Sequence, residues 1–287
     1  VQLLKTIEEI RAAVAQARRQ GKTIGFVPTM GALHAGHSSL IQKARSQCGC
    51  IVVSIFVNPT QFGPTEDFGH YPRTLEEDTC LCESLRVDCV FAPSAEEMYP
   101  QKNLTWVDVE QLTAGLCGAS RPGHLRGVTT VCTKLFHIVL PDKAYFGQKD
   151  AQQAVVIRRM VEDLNFPMEV IVCPTVREAD GLAISSRNRY LSPEQRRQAV
   201  CLYQALCRCK EWVQQGTISS RELIEQMNQI VSKAGAQAEY ISIVDSRTLQ
   251  SMESLTADAL VALACRVGTT RLIDNMLIFL NPLRFQI

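Results

Sequence analysis

The run Cys50–Val57, CIVVSIFV, constrains this chain most. A half-exposed strand would alternate apolar and polar positions. A continuous β-branched run of this length reads instead as a strand buried on both faces, as in a parallel sheet covered by helices. The flanking segments supply those helices. Thr6-Ile-Glu-Glu9 has the capping-box pattern and opens an amphipathic helix to Gln20, closed by Gly21. A strand is expected at Thr23–Val27, and a helix from near Gly36. A second capping box, Thr74-Leu-Glu-Glu77, starts a helix to about Arg86, and a short strand follows at Cys89–Ala92. Helix, strand, helix and strand then recur at Leu125–Leu140, Lys143–Phe146, Ala151–Asn165 and Met168–Cys173. This alternation predicts right-handed β-α-β units.

Pro174 to Asn188 reads as a loop, and beyond it the texture changes. Ser192-Pro193-Glu194 caps a long polar helix to about Gln215, Ser219–Ala234 is another helix, and Glu239–Val244, Leu260–Val267 and Leu272–Ile278 read as a small antiparallel sheet. The shift places a domain boundary near Val176, giving domains 1–176 and 177–287. A chain of 287 residues is long enough for about two domains.

Composition enters by exclusion. The formal charge is +1, which argues against a dedicated nucleic-acid binder. The longest apolar runs, such as Ala259–Cys265, fall far short of the roughly 20 residues that span a bilayer. The first twenty residues carry Glu8 and Glu9 and lack the apolar stretch of a signal peptide, so a soluble cytoplasmic protein is expected. The twelve cysteines include three C-x-C pairs, but no C-x-x-C and no zinc-type spacing. They read as reduced, small hydrophobes.

The strongest chemical signal is His34-Ala-Gly-His37 after the first of these strands. Residues three apart on a helical turn share a face, so both imidazoles can address one ligand. Gly36 removes a side chain where a nucleotide needs close approach, and the helix N-terminus favours phosphate. Asn58–Pro72 is a long loop whose Gly63-Pro64 break suits a lid. His137 lies on an apolar helix and reads as a core or interface residue.

Several blocks carry a resemblance. PTMGALHAGHSSL (28–40), SIFVNPTQF (54–62), YPRT (71–74), RPGHLRGV (121–128), FGQKDAQQ (146–153) and DGLAISSRNRYL (180–191) resemble the pantothenate synthetase family. The likeness extends to Leu272-Ile-Asp-Asn275 and leaves Asn281–Ile287 outside. It departs at Gln148 and Ala35, where many relatives carry acidic residues. The resemblance implies an α/β fold: a Rossmann-like nucleotidyltransferase domain with a parallel sheet, plus a smaller α+β C-terminal domain carrying a phosphate-clamping loop.

It also implies a reaction that joins pantoate to β-alanine with ATP, through pantoyl adenylate. Mg²⁺ would accompany ATP, and the protein would be a homodimer. On matched positions, His34, His37 and Lys149 would be catalytic. Met30, Gly31, Ala32, Leu33, Ala35 and Gly36 would line the ATP site with those histidines. Gly147, Gln148, Asp150, Val176, Ile184, Ser185, Ser186 and Arg187 would complete it around Lys149. Gln61 and Gln153 would bind pantoate, with Gln61 also meeting β-alanine. Glu77 and Asp78 occupy an acidic position associated with magnesium, though a solvated helix face explains them equally. Arg121 and His124 have no derived role, and protein ligands of the metal are not assigned. The competing readings are another adenylate-forming enzyme, a tRNA-binding module and an inactive scaffold.

Overall fold

The computed structural model describes residues 1–64 and 66–279. The segment Asn281–Ile287 lies outside the described residues, as does Thr65 within the 58–72 loop. In chain order the elements are β1 (Gln2–Leu4), α1 (Ile7–Arg19), β2 (Ile24–Thr29), α2 (Ala35–Gln47), β3 (Cys50–Ile55), α3 (Leu75–Ser84), β4 (Cys89–Phe91), α4 (Ala95–Met98), α5 (Leu116–Ser120), α6 (His124–Val139), β5 (Lys143–Gly147), α7 (Ala151–Asp163), β6 (Glu169–Cys173), α8 (Pro193–Gln198), α9 (Cys201–Gln214), α10 (Ser220–Lys233), β7 (Gln237–Asp245), β8 (Ala259–Val267) and β9 (Thr270–Ile278).

The chain divides into two units. The first comprises Val1–Thr113, Arg121–Gln148 and Gln153–Thr175. Its sheet has the order β1-β4-β3-β2-β5-β6, and every pairing is parallel. Successive strand residues point to opposite faces, which accounts for the unbroken apolar run at Cys50. Cys50 and Val52 join Phe26, Phe91 and Phe146 against Ile10 and Val14 of α1, Phe136 of α6 and Ile157 of α7. Ile51 and Val53 face the other way, with Val27, Val90 and Tyr145, against Leu40, Ile41 and Ala44 of α2.

The second unit comprises Ala114–Ser120, Lys149–Gln152 and the chain from Val176 onward. Its sheet, β7-β8-β9, is antiparallel. One face packs Ile241, Ile243, Val261 and Leu263 against Leu202 and Leu206 of α9 and Leu223 and Met227 of α10. On the other face, Val244, Leu260 and Ala262 receive Leu116 and Ala151 from the two short internal pieces. Among the described residues no helix is long and apolar enough to cross a membrane.

Several local expectations change. Thr6 and Glu9 do form a capping box, but Thr74 makes no side-chain cap to α3. Its hydroxyl donates to Asp78 Oδ2 at 3.2 Å instead, because that buried carboxylate lies one turn on. The helix expected from Ser192 to Gln215 is two helices. The ladder breaks at Ala199–Val200, where Leu202 N–H reaches back three residues to Ala199 O. His137 is exposed on α6 with its ring edge-on to Phe166, so it is not a core residue. β1 was not legible, since a three-residue edge strand carries no periodicity.

Candidate active site

Strand order reverses at β2, which lies between β3 and β5. In open α/β sheets ligands bind outside the carboxyl ends of the strands at such a switch point. The segment Met30–His34 leaves β2 there, and Gly147 ends β5 beside it. The turn is tightly specified. Gly31 has φ +84°, and a Cβ on it would stand 3.0 Å from Asp78 Oδ2. Ala32, at φ 49°, also adopts the left-handed region. The Asp78 carboxylate, 3% exposed, accepts Ala32 N–H at 2.9 Å and Leu33 N–H at 2.7 Å. Asp78 therefore braces the turn before the histidines, whereas its neighbour Glu77 is solvated. The bracing role of Asp78 needed the tertiary structure, since its partners lie some 45 residues away in the chain.

His34 caps α2, its Nδ1 accepting Gly36 N–H at 3.1 Å. His37 Nδ1 accepts His34 N–H at 3.3 Å, and the ring centroids are 4.1 Å apart. A main-chain N–H can only donate, so each Nδ1 is an acceptor in these contacts. The pair thus stands at a helix N-terminus with both Nδ1 atoms engaged by main-chain N–H groups. Gly36 has a local reason for lacking a side chain: a Cβ would meet the His34 ring at 2.9 Å.

Gln61 sits on a short turn after β3, 8% exposed. Asn58, 1% exposed, donates through Nδ2 to Gln61 Oε1 at 3.1 Å and to Gly127 O at 3.2 Å. Its Oδ1 accepts from Thr60 Oγ1 and Tyr99 OH, each at 3.0 Å. Gln61 Nε2 donates to Met30 Sδ at 3.0 Å. Gly127 lets α6 approach this turn, since a Cβ there would lie 2.3 Å from Thr60 O. His124 and Arg121 now have a structural role. His124 Nδ1–H donates to Gln61 O at 2.8 Å, and its Nε2 accepts from Arg121 Nη1 at 3.0 Å. Arg121 also forks onto both oxygens of Glu66 at 2.6 Å. Burial alone would raise the Glu66 carboxyl, but the Arg121 guanidinium and Gly63 N–H hold it at about 2. Gln153, half-buried on the first turn of α7, belongs to the same unit, as do Gly147 and Gln148. Among the described residues nothing lies within 4 Å of a Cβ placed on Gly147.

The second unit holds Lys149, Asp150, Val176, Ile184, Ser185, Ser186 and Arg187. Residues 176–184 fold back on themselves: Ile184 N–H bonds Val176 O, and Arg177 bridges Ala183 antiparallel. Gly181, at φ +93°, is required because a Cβ would lie 1.9 Å from the Tyr203 ring. Ser185 Oγ accepts Arg187 N–H at 3.3 Å, starting the turn Ser186–Tyr190. Among the described residues no group of three or more His, Cys, Asp or Glu could hold a metal ion.

A parallel sheet with paired imidazoles at its switch point, in a chain that also carries a small antiparallel unit, defines an α/β nucleotidyltransferase-like enzyme. The comparisons narrow the class. The pantoate–β-alanine ligase family matches residues 2–277. Pantothenate synthetase of Heliobacterium modesticaldum is 56% identical over 97% of this chain and 99% of its own length. The crystal structure of pantothenate synthetase from Thermus thermophilus superimposes with a TM-score of 0.91 at 47% identity, covering 96% of this chain and 99% of that one. The Francisella tularensis pantoate–β-alanine ligase, crystallised with β,γ-ATP and β-alanine, gives a TM-score of 0.80 at 36% identity, covering 96% and 97%. The chain belongs to the pantoate–β-alanine ligase family.

Proposed function

We propose that this chain joins pantoate to β-alanine in two half-reactions through a pantoyl adenylate. An oxygen of the pantoate carboxylate bonds to the α-phosphorus of ATP. The bond from that phosphorus to the α,β-bridging oxygen breaks, and pyrophosphate leaves with the electron pair. The β-alanine amine then attacks the acyl carbon, AMP departs, and the amine nitrogen loses a proton. The carboxylate is already anionic, so the first step needs positioning and charge neutralisation more than a general base.

The observation that carries this reading is the histidine pair at the head of α2, each Nδ1 accepting a main-chain N–H and the ring centroids 4.1 Å apart. Donation from the Nε2 side of these rings would meet oxygens on which negative charge builds as pyrophosphate leaves. His37 is read as the principal donor and His34 as its partner. Lys149 supplies a cation for phosphate oxygens, with Ser185, Ser186 and Arg187 on the β- and γ-phosphates. Met30 to Leu33, Ala35, Gly36, Gly147, Gln148, Asp150, Val176 and Ile184 line the nucleotide. Gln61, its Oε1 held by Asn58, offers a donor to pantoate oxygens and to β-alanine; Gln153 is the second pantoate amide. Neutral amides bind a carboxylate without the ion pair that would blunt it as a nucleophile.

Mg²⁺ fits as a partner of the ATP phosphates, whose charge it neutralises when bound, because this cation commonly takes phosphate oxygens and waters in place of a full protein cage. In this reading Asp78 braces the turn and is not a metal ligand, its oxygens being taken by Ala32, Leu33 and Thr74. A cytoplasmic homodimer that uses small molecules and no nucleic acid completes the proposal; it is supported by the family resemblance, the near-zero charge and the unpaired cysteines.

Pyrophosphate exchange tests the scheme. Labelled pyrophosphate should enter ATP with pantoate and Mg²⁺ alone, without β-alanine or tRNA. Exchange that appears only after β-alanine is added would argue for a concerted reaction. Exchange driven by an amino acid would point to a different adenylating enzyme.

A further inference from the structure

The block Leu272-Ile-Asp-Asn275 has no part in the reaction as described above. It lies in the middle of β9, and both polar residues are buried, Asp274 at 3% and Asn275 at 5% exposure. Burying such groups costs stability unless they are bonded, and adjacent strand residues point to opposite faces. Asp274 receives Arg177, Nη1 to Oδ2 at 2.6 Å and Nη2 to Oδ1 at 2.9 Å. The same guanidinium donates to Gly181 O at 3.0 Å and lies 4.3 Å from the Tyr203 ring centroid. It therefore holds the folded-back segment 176–184 from which Ser185, Ser186 and Arg187 continue. Asn275 Nδ2 donates to the main-chain carbonyl of Lys149 at 2.8 Å. Two neighbouring residues of one strand thus hold both segments to which the phosphate contacts are assigned.

We propose that Asn275 is a positioning residue for ATP: by fixing the main chain at Lys149, alongside the Asp274–Arg177 anchor, it sets where the lysine stands relative to the Ser185–Arg187 turn. The inference rests on the reading of Lys149 and Ser185–Arg187 as triphosphate contacts. A lysine ammonium rides on four flexible bonds, so a fixed main chain narrows its reach before the nucleotide arrives. Preorganisation of this kind is expressed in binding and orientation of that one ligand.

The test is steady-state pyrophosphate exchange on the full chain, with calorimetric binding of a non-hydrolysable ATP analogue. Asn275→Asp keeps the shape but sets a carboxylate against the Lys149 carbonyl. Its KM for ATP should rise on the order of ten-fold, the scale of one lost buried hydrogen bond. Its KM for pantoate should change by less than about two-fold, since the pantoate amides lie on other elements. Asn275→Ala, which removes the donor without placing a second carboxylate beside Asp274, should show the same split and keeps the test open if the aspartate variant does not fold. Equal rises in both KM values, or a fall in kcat alone, would mark a merely structural residue and overturn the inference. Lys149→Ala is the control. If it weakens ATP and neither Asn275 variant does, this inference alone fails; if it leaves ATP binding unchanged, the phosphate reading fails and takes the inference with it.

Discussion

Asp78 and His37 show how single side chains divide the work at the head of α2. Asp78 gives its carboxylate to two main-chain N–H groups of the turn that launches the histidines. Asp78→Ala would leave the buried Ala32 N–H and the half-buried Leu33 N–H without this partner. We expect a loss of about 2–3 kcal/mol in unfolding free energy, read from urea denaturation; an unchanged midpoint would show that the brace is dispensable. His37→Ala should behave oppositely. The ring is partly exposed and outside the apolar clusters, so the fold should persist while adenylate formation slows by about 10²–10⁴-fold, the usual contribution of a positioned proton donor. Rapid quench of the first half-reaction measures this, and a near-wild-type rate in a folded variant would sink the assignment.

Among the elements, the 58–72 loop, expected from its Gly-Pro break to suit a lid, carries local structure of its own. It contains two short helical turns, a cluster of Phe62 with Phe68 and Tyr71 at centroid distances of 5.3 and 5.9 Å, and the forked Glu66–Arg121 pair. A lid motion would have to break that pair. Glu66→Gln should therefore speed hydrogen exchange across the loop in the unliganded protein. Unaltered exchange would show that the pair does not restrain it. The pH dependence has a definite sign. The Glu66 carboxyl ordinarily titrates at 4.5 and is held at about 2 in the folded chain, so its stabilisation is present above about 4.5 and is lost as pH falls toward 2. The stability gap between wild type and Glu66→Gln should be full at pH 7 and close across that window. A gap that persists at pH 2 would contradict the ion-pair account.

At the scale of the molecule, the candidate residues divide between two units. The parallel-sheet unit carries the histidines with Gln61 and Gln153, the amides proposed for pantoate; the antiparallel unit carries Lys149 and the serine–arginine turn. The second unit includes Lys149–Gln152 because Ala151 packs on Val244, Leu260 and Ala262. Gln152 secures the same piece, donating to Gly115 O and accepting Cys117 N–H, both at 2.9 Å. The proposed homodimer is checked by light scattering, where the mass should be twice the 31.9 kDa of the chain. A monomer at micromolar concentration would remove that part of the proposal.

What the sequence determined by itself was local and periodic. The apolar run at Cys50 announces a doubly covered parallel strand, the Thr6 box a helix start, and His34-Ala-Gly-His37 a pair of imidazoles on one turn. These depend on spacing along the chain, which the sequence displays directly. Asp78 under the turn, His124 on the Gln61 carbonyl, Glu66 on Arg121 and Asn275 on Lys149 were decided by the tertiary structure alone. Each joins residues 45 or more positions apart. No periodicity marks such a pair, because the partners become neighbours only when packing buries a polar group and it must find a donor or acceptor wherever the fold has placed one.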